Sequence, residues 1–259
     1  MIVGKSADEA AKGMELVEVN GRNYALTGYV GAMPVRGYYL EGNEKNDNGE
    51  PQGFLVDQPP NSVTEPHFHE TNQFQVFVSG SGRLGKLDIT PLFVQYANGH
   101  SPYGPIVSRS KGIRYFTLRA RWDPGAKYMP ASSKKLIKGN QRQRLGPQVK
   151  VSKSEELTRR FGAEFEIVIE AERDGLVAYI GRYGPGVSAC VPQARYSGGQ
   201  YWVVVNGVLK LNTVRYPELS CLFVTADEAP MVVDASEEGM EMLVLQFPEK
   251  NCTGRSVEC

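Results

Sequence analysis

The sequence predicts an all-β chain, a sandwich or barrel present in two copies, on three observations. Short runs rich in Val, Phe, Tyr and Leu recur between Gly, Pro and Asn turns, which is the pattern of strands in sandwiches and barrels. Segments with a helical pattern are scarce. The second half of the chain also repeats the first.

Taken in order, residues 6–13 read as a short helix. Strands follow at "FQVFV" (74–78), "PLFVQY" (91–96) and "RYFTLRA" (114–120). The polar stretch "SSKKLIKGNQRQRLGPQVKVSKSEELTRR" reads as a solvated connector, with a helix over 154–161 capped by Ser154. Beyond it, "FEIVIEA" (165–171), "LVAYIGRY" (176–183), "YWVVVNG" (201–207) and "EMLVLQF" (241–247) read as strands again.

The repeat places "QFQVFVSG" (73–80) on "QYWVVVNG" (200–207), "PPN" (59–61) on "GVS" (186–188) and "IRYFTL" (113–118) on "MEMLVL" (240–245). It also sets "LFV" (92–94) on "LFV" (222–224). The expected organisation is a first unit over 1–125, a connector over 126–159, a second unit over 160–250 and a tail over 251–259.

Composition narrows the function. The 259 residues carry 29 Lys+Arg and 29 Asp+Glu, without the basic excess of nucleic-acid-binding chains. No signal peptide is evident, and no apolar run approaches the ~20 residues of a membrane span, so a cytoplasmic protein without membrane contact is expected. Cys190, Cys221, Cys252 and Cys259 form no CxxC pair and read as free thiols, two buried in strands and two on the tail.

Histidine usage is the functional signal. The chain has three, His67, His69 and His100. The repeat puts Ala194, Tyr196 and Pro230 in their places, so all three are absent together while the fold-forming Val and Gly positions persist. Residues i and i+2 of a strand share a face, so His67 and His69 aim together and Phe68 turns away. Two imidazoles on one face suit a cation between them; histidines lining an empty cavity are the alternative.

These residues resemble the cupin superfamily. Its first motif, G-x5-H-x-H-x3/4-E-x6-G, is met by His67, His69, Gln73 and Gly80, with Asn61 for the leading Gly and Gln73 for the Glu. Its second motif is loosely met by "YANGHSPYG", with His100 supplying the histidine. With the repeat, the resemblance implies two tandem cupin (jelly-roll) β-barrels with a short, partly helical connector. It further implies one divalent metal ion on His67, His69 and His100, with Gln73 as a fourth ligand or a hydrogen-bond partner of one of them.

Fe(II) is favoured, and Zn, Ni, Mn and Cu also suit imidazole ligands. Three neutral ligands leave the metal charge uncompensated and favour a small chelating anion such as a hydroxy acid, 2-oxo acid or catecholate. The expected activity is that of a mononuclear non-heme metalloenzyme, an Fe(II)-dependent dioxygenase, with Gln73, Tyr103 and Arg119 as candidate catalytic residues. Gln75 and Arg121 are further polar candidates near the site. The alternatives are an oxygen-independent metal-dependent isomerase or lyase, and a bicupin that binds a small ligand without catalysis. Two edge-rich barrels leave a homodimer open.

Overall fold

The computed structural model describes residues 1–139 and 141–249. The chain divides into two compact units, one of Ala10–Val149 and one that joins Met1–Glu9 to the chain from Lys150 onward. In chain order, β1 (Ile2–Lys5) is followed by helix α1 (Ala7–Ala11). The first unit then holds β2 (Met14–Val19), β3 (Arg22–Val30), β4 (Gln52–Gln58), β5 (Val63–Thr64), β6 (His67–Phe68) and β7 (Gln73–Leu84). It continues through β8 (Leu87–Ile89), β9 (Phe93–Ala97), β10 (Ile106–Arg119), β11 (Lys127–Tyr128) and β12 (Gln143–Leu145). The second unit holds α2 (Ser154–Thr158), β13 (Ala163–Ile169), β14 (Val177–Tyr183) and β15 (Ser188–Cys190). Its remaining strands are β16 (Gln200–Leu211), β17 (Val214–Pro217), β18 (Cys221–Val224) and β19 (Val232–Gln246).

Both sheets are antiparallel. The first unit runs β12-β9-β7-β10-β4-β3-β2, with β6 and β11 as a separate pair; the second runs β1-β18-β16-β19-β14-β13. Unit boundaries therefore differ from those read in the sequence. Strand β1 pairs with β18, Ile2 opposite Val224 and Lys5 opposite Cys221, so the first residues complete the second unit. Residues 127–128 and 143–145, expected in the connector, instead pair with strands of the first unit.

Local details also shift. Ser154 is the first residue of α2 rather than its cap, and the Glu156 carboxylate accepts the Lys153 N–H at 2.9 Å. Cys221 is buried but Cys190 is exposed, while Cys252 and Cys259 lie outside the described residues.

Matching registers carry the repeat. Ile113 faces Gly80 and Arg119 faces Gln73 across β10 and β7. Met240 faces Gly207 and Gln246 faces Gln200 across β19 and β16. Gly80 (φ 78°) and Gly207 (φ 67°) both occupy left-handed backbone. A Cβ on either would lie 2.2 Å from a carbonyl oxygen of the facing strand, so both positions require glycine. The "LFV" match is three residues out: Gln95 lies opposite Gln75 just as Leu222 lies opposite Trp202.

Directly opposed residues project to the same face of a sheet, which turns these registers into stacked interior layers. In the first unit the outer layer is Gln52, Arg119, Gln73 and Ala97. Beneath it lie Phe54, Thr117, Gln75 and Gln95, and then Val56, Tyr115, Phe77 and Phe93. Polarity thus falls with depth. The apolar base joins Val17, Val19, Leu26 and Ile113 in one core cluster, each side chain contributing about 1.5–3 kcal/mol on full burial. No helix among the described residues is long and apolar enough to cross a membrane.

Candidate ligand-binding site

A cavity with about 630 Å³ of atom-free space, mouth included, opens inside the first unit. His67, His69, Tyr103, Arg119 and Asp123 line its polar side, and Val17, Leu26, Phe54 and Val56 line its apolar side. Arg36, exposed and on the 31–51 connection, lies on the same lining.

His67 and His69 face each other as the H-x-H spacing predicts, with ring centroids 5.2 Å apart and planes at 90°. Strand pairing fixes them: β6 bonds to β11, and His67 exchanges backbone hydrogen bonds of 3.0 and 3.1 Å with Tyr103. The His67 Nδ1–H donates to the Glu65 carbonyl at 2.7 Å, leaving Nε2 as a lone pair with no protein partner among the described residues. Burial, reinforced by His69, pushes the His67 pKa down to about 3, so this ring is neutral at physiological pH.

His69 is held between two charges. Its Nδ1–H donates to Asp123 Oδ1 at 2.7 Å. Asp123 also accepts from the backbone N–H groups of Glu70 (2.9 Å), Thr71 (3.3 Å) and Gly125 (2.9 Å) and from the Thr71 hydroxyl (3.2 Å). Burial works to raise the Asp123 pKa, but His69, Arg119 and the Gly125 N–H hold it well below the usual carboxylate range. On the other side, Arg119 Nη2 lies 3.1 Å from His69 Nε2 and 3.2 Å from Nδ1. Being nearly equidistant from both ring nitrogens, the guanidinium nitrogen lies over the imidazole face and not along the in-plane Nε2 lone pair. Burial and then Arg119 lower the His69 pKa against the pull of Asp123, so His69 is neutral as well.

Arg119 is itself buried. Its Nε donates to Gln73 Oε1 at 3.2 Å, its Nη1 donates to Gln52 Oε1, and its guanidinium carbon lies 5.7 Å from the centre of the Phe54 ring. Gln73 turns its amide N–H to the Tyr103 hydroxyl, whose pKa burial raises. Tyr103 and Arg119 therefore lie against the histidine pair, and Gln73 joins the two of them.

His100 does not. Its backbone N–H reaches the His69 carbonyl at 2.7 Å, yet its half-buried ring packs on Phe68, centroids 5.4 Å apart, on the face opposite the pair. Its Nδ1 accepts the Ile137 N–H at 3.3 Å. Arg121 is also outside the site, paired with Asp47 near the surface. Glu70 pairs with the buried Lys127 at 2.8 Å.

Asp123 and Gln52 escaped sequence reasoning. The "WDPG" turn at 122–125 marks a turn but not its carboxylate's partner, whereas the alternation of β4 could have placed Gln52 inward.

A metal centre needs converging lone pairs. Both imidazoles meet one condition, since each gives its Nδ1–H to an oxygen and directs Nε2 elsewhere. The rest of the expected set fails: His100 is on the far face, Gln73 is engaged at both amide atoms, and a guanidinium packs on the His69 ring. Among the described residues, no group of three or more His, Cys, Asp or Glu is placed to hold a metal ion. The residues present do not fit a three-histidine centre.

No known protein family matches the sequence, and no curated protein does. Solved structures match by shape. A protein of Nostoc punctiforme assigned as a candidate dioxygenase superposes with a TM-score of 0.65 at 9% identity, over 100% of this chain and 87% of that one. A bacterial pirin from Escherichia coli in complex with nickel(II) gives 0.54 at 10% identity, over 96% and 100%. Quercetin 2,3-dioxygenase from Acinetobacter baumannii gives 0.51 at 13% identity, over 96% and 80%. These are cupin-fold proteins, and the likeness is one of fold: the chain is all-β, with two tandem cupin-type jelly-roll barrels.

Proposed function

We propose that the first unit binds a small, largely apolar organic acid carrying a hydroxyl next to its carboxylate, without a metal ion of its own. The observation that carries this reading is the Arg119 guanidinium, buried and packed on the His69 ring, so that a cation already stands beside the histidine pair. A carboxylate is a stronger acceptor for that cation than the neutral amide oxygens of Gln52 and Gln73. The adjacent hydroxyl would donate to His67 Nε2, the acceptor with no partner among the described residues. A histidine of pKa about 3 is a feeble base at neutral pH, so the pair supports positioning of a ligand more than proton abstraction.

A second reading is favoured by the Nδ1 anchoring of both imidazoles, the arrangement that ligating histidines adopt. In it the unit is a mononuclear metalloenzyme, either an Fe(II)-dependent dioxygenase or an oxygen-independent isomerase or lyase, with Arg119 withdrawn from His69.

Metal content and calorimetric binding of mandelate, measured on wild type and Arg119→Met, separate the two. The first reading expects well under one metal per chain after anaerobic loading with Fe(II), and a loss of mandelate affinity of ~10-fold or more in Arg119→Met. One tightly held metal per wild-type chain, lost in His69→Ala, would establish the second.

A further inference from the structure

The layer beneath Arg119 holds polar groups that neither reading uses. Gln75 lies opposite Gln95 on β9 and Thr117 on β10, so the three side chains stand in a row on the inner face. Gln75 and Thr117 line the cavity, and all three are at least 95% buried, with exposures of 3%, 4% and 1% for Gln75, Thr117 and Gln95. Gln75 Oε1, Gln95 Oε1 and Gln95 Nε2 have no hydrogen-bond partner among the described residues. Leaving such atoms buried and unsatisfied costs roughly 1–3 kcal/mol each, so a row of them calls for a polar guest.

The barrel itself does not demand these amides. At the same register the second unit carries Trp202 opposite Leu222 and Val244. The polar atom of these three is satisfied, the Trp202 indole N–H donating to Gln200 Oε1 at 3.0 Å. The fold is thus built with two apolar side chains and a satisfied indole at these three places in one copy, and with unsatisfied amides beside the cavity in the other.

We propose that Gln75, backed by Gln95 and Thr117, is a second polar subsite that takes a neutral hydroxyl or amide at the deep end of the ligand. The inference rests on the organic-acid reading for the ligand's other end. Successive inward residues of a strand are about 6.6–6.8 Å apart, so the Arg119 and Gln75 layers are separated by the length of one six-membered ring. The preferred ligand is then a ring with an acidic group at the mouth and a hydroxyl or carboxamide at the far side. The apolar residues Phe54 and Val56 flank its body.

Binding of 4-hydroxymandelate and 4-methylmandelate to wild type, Gln75→Leu and Thr117→Val tests this. Wild type should prefer the hydroxy compound by ~10-fold or more, because a site with unpaired polar groups rejects a ligand that lacks the matching group. Gln75→Leu should reduce the preference to within ~2-fold while 4-methylmandelate binds as before, and Thr117→Val should reduce it partly. An equal preference in wild type and Gln75→Leu overturns the subsite. If neither mandelate binds wild type, the acid anchor has failed, and p-cresol against p-xylene decides. A wild-type preference for cresol that Gln75→Leu abolishes upholds the subsite, and its absence overturns it.

Discussion

The two units share strand order and register but treat their interiors in opposite ways. In the second, Trp202, Leu222 and Val244 fill the layer beneath Gln200 and Gln246, and those amides bond to each other at 2.8 Å. In the first, Gln75, Gln95 and Thr117 occupy that layer, Arg119 takes the place of Gln246, and a cavity remains. An indole, a leucine and a valine in one layer, against two amides and a threonine in the other, distinguish the two interiors. Room for a cavity therefore depends here on what a layer leaves out, and the strands keep their register around it.

Emptying the filled barrel is the severest way to break this comparison. Trp202→Ala should destabilise the second unit by about 3–5 kcal/mol, through the void and the loss of the donor to Gln200. Calorimetry would follow the second unit, while fluorescence of Trp122, the chain's other tryptophan, follows the first and should be unchanged. A second unit with an unaltered melting temperature would mean that its core does not depend on that side chain.

Acid sharpens the contrast, because all three histidines are in the first unit. Folded His67 titrates near 3, below its ordinary 6.5, so the unfolded chain binds the extra proton between those values. Its contribution is fully present above about pH 6.5 and declines as the pH falls toward about 3, at up to about 1.4 kcal/mol per pH unit. His69 shifts in the same direction and adds to the slope. Between pH 6.5 and 4.5 the urea midpoint read by Trp122 should fall, that read by Trp202 should stay flat, and His67→Gln should remove part of the slope. Equal slopes for both tryptophans would place the effect elsewhere.

The smallest effect belongs to His100. Losing its stack on Phe68 should cost under about 1 kcal/mol and leave metal content and mandelate binding as in wild type. A variant His100→Ala that sheds a bound metal would restore the three-histidine centre.

What was legible in the sequence was whatever has a period. Alternation gave the strands and the shared face of His67 and His69, and repeated Gly80 and Gly207 gave the two copies. The same alternation should have warned against His100: Phe68 turns away from the pair, and His100, reached through a left-handed turn (φ 58°), packs on Phe68. No local signal links Asp123 to His69 or β1 to β18, since those partners lie 54 and more than 200 residues apart. The resemblance to a metal-binding motif was real at the two histidines, but it could not anticipate an arginine from β10 lying against one of them.

The pairing of β1 with β18 also sets a timetable for synthesis. Lys5 is made 216 residues (221 − 5) before its partner Cys221. At ~5–20 residues per second, the strand waits on the order of 10–40 s with its edge bare. Among the described residues β1 pairs with β18 alone, so no strand pairing of the first unit waits for it. The sheet of the second unit is thus completed only when β1 meets a strand made more than 200 residues after it.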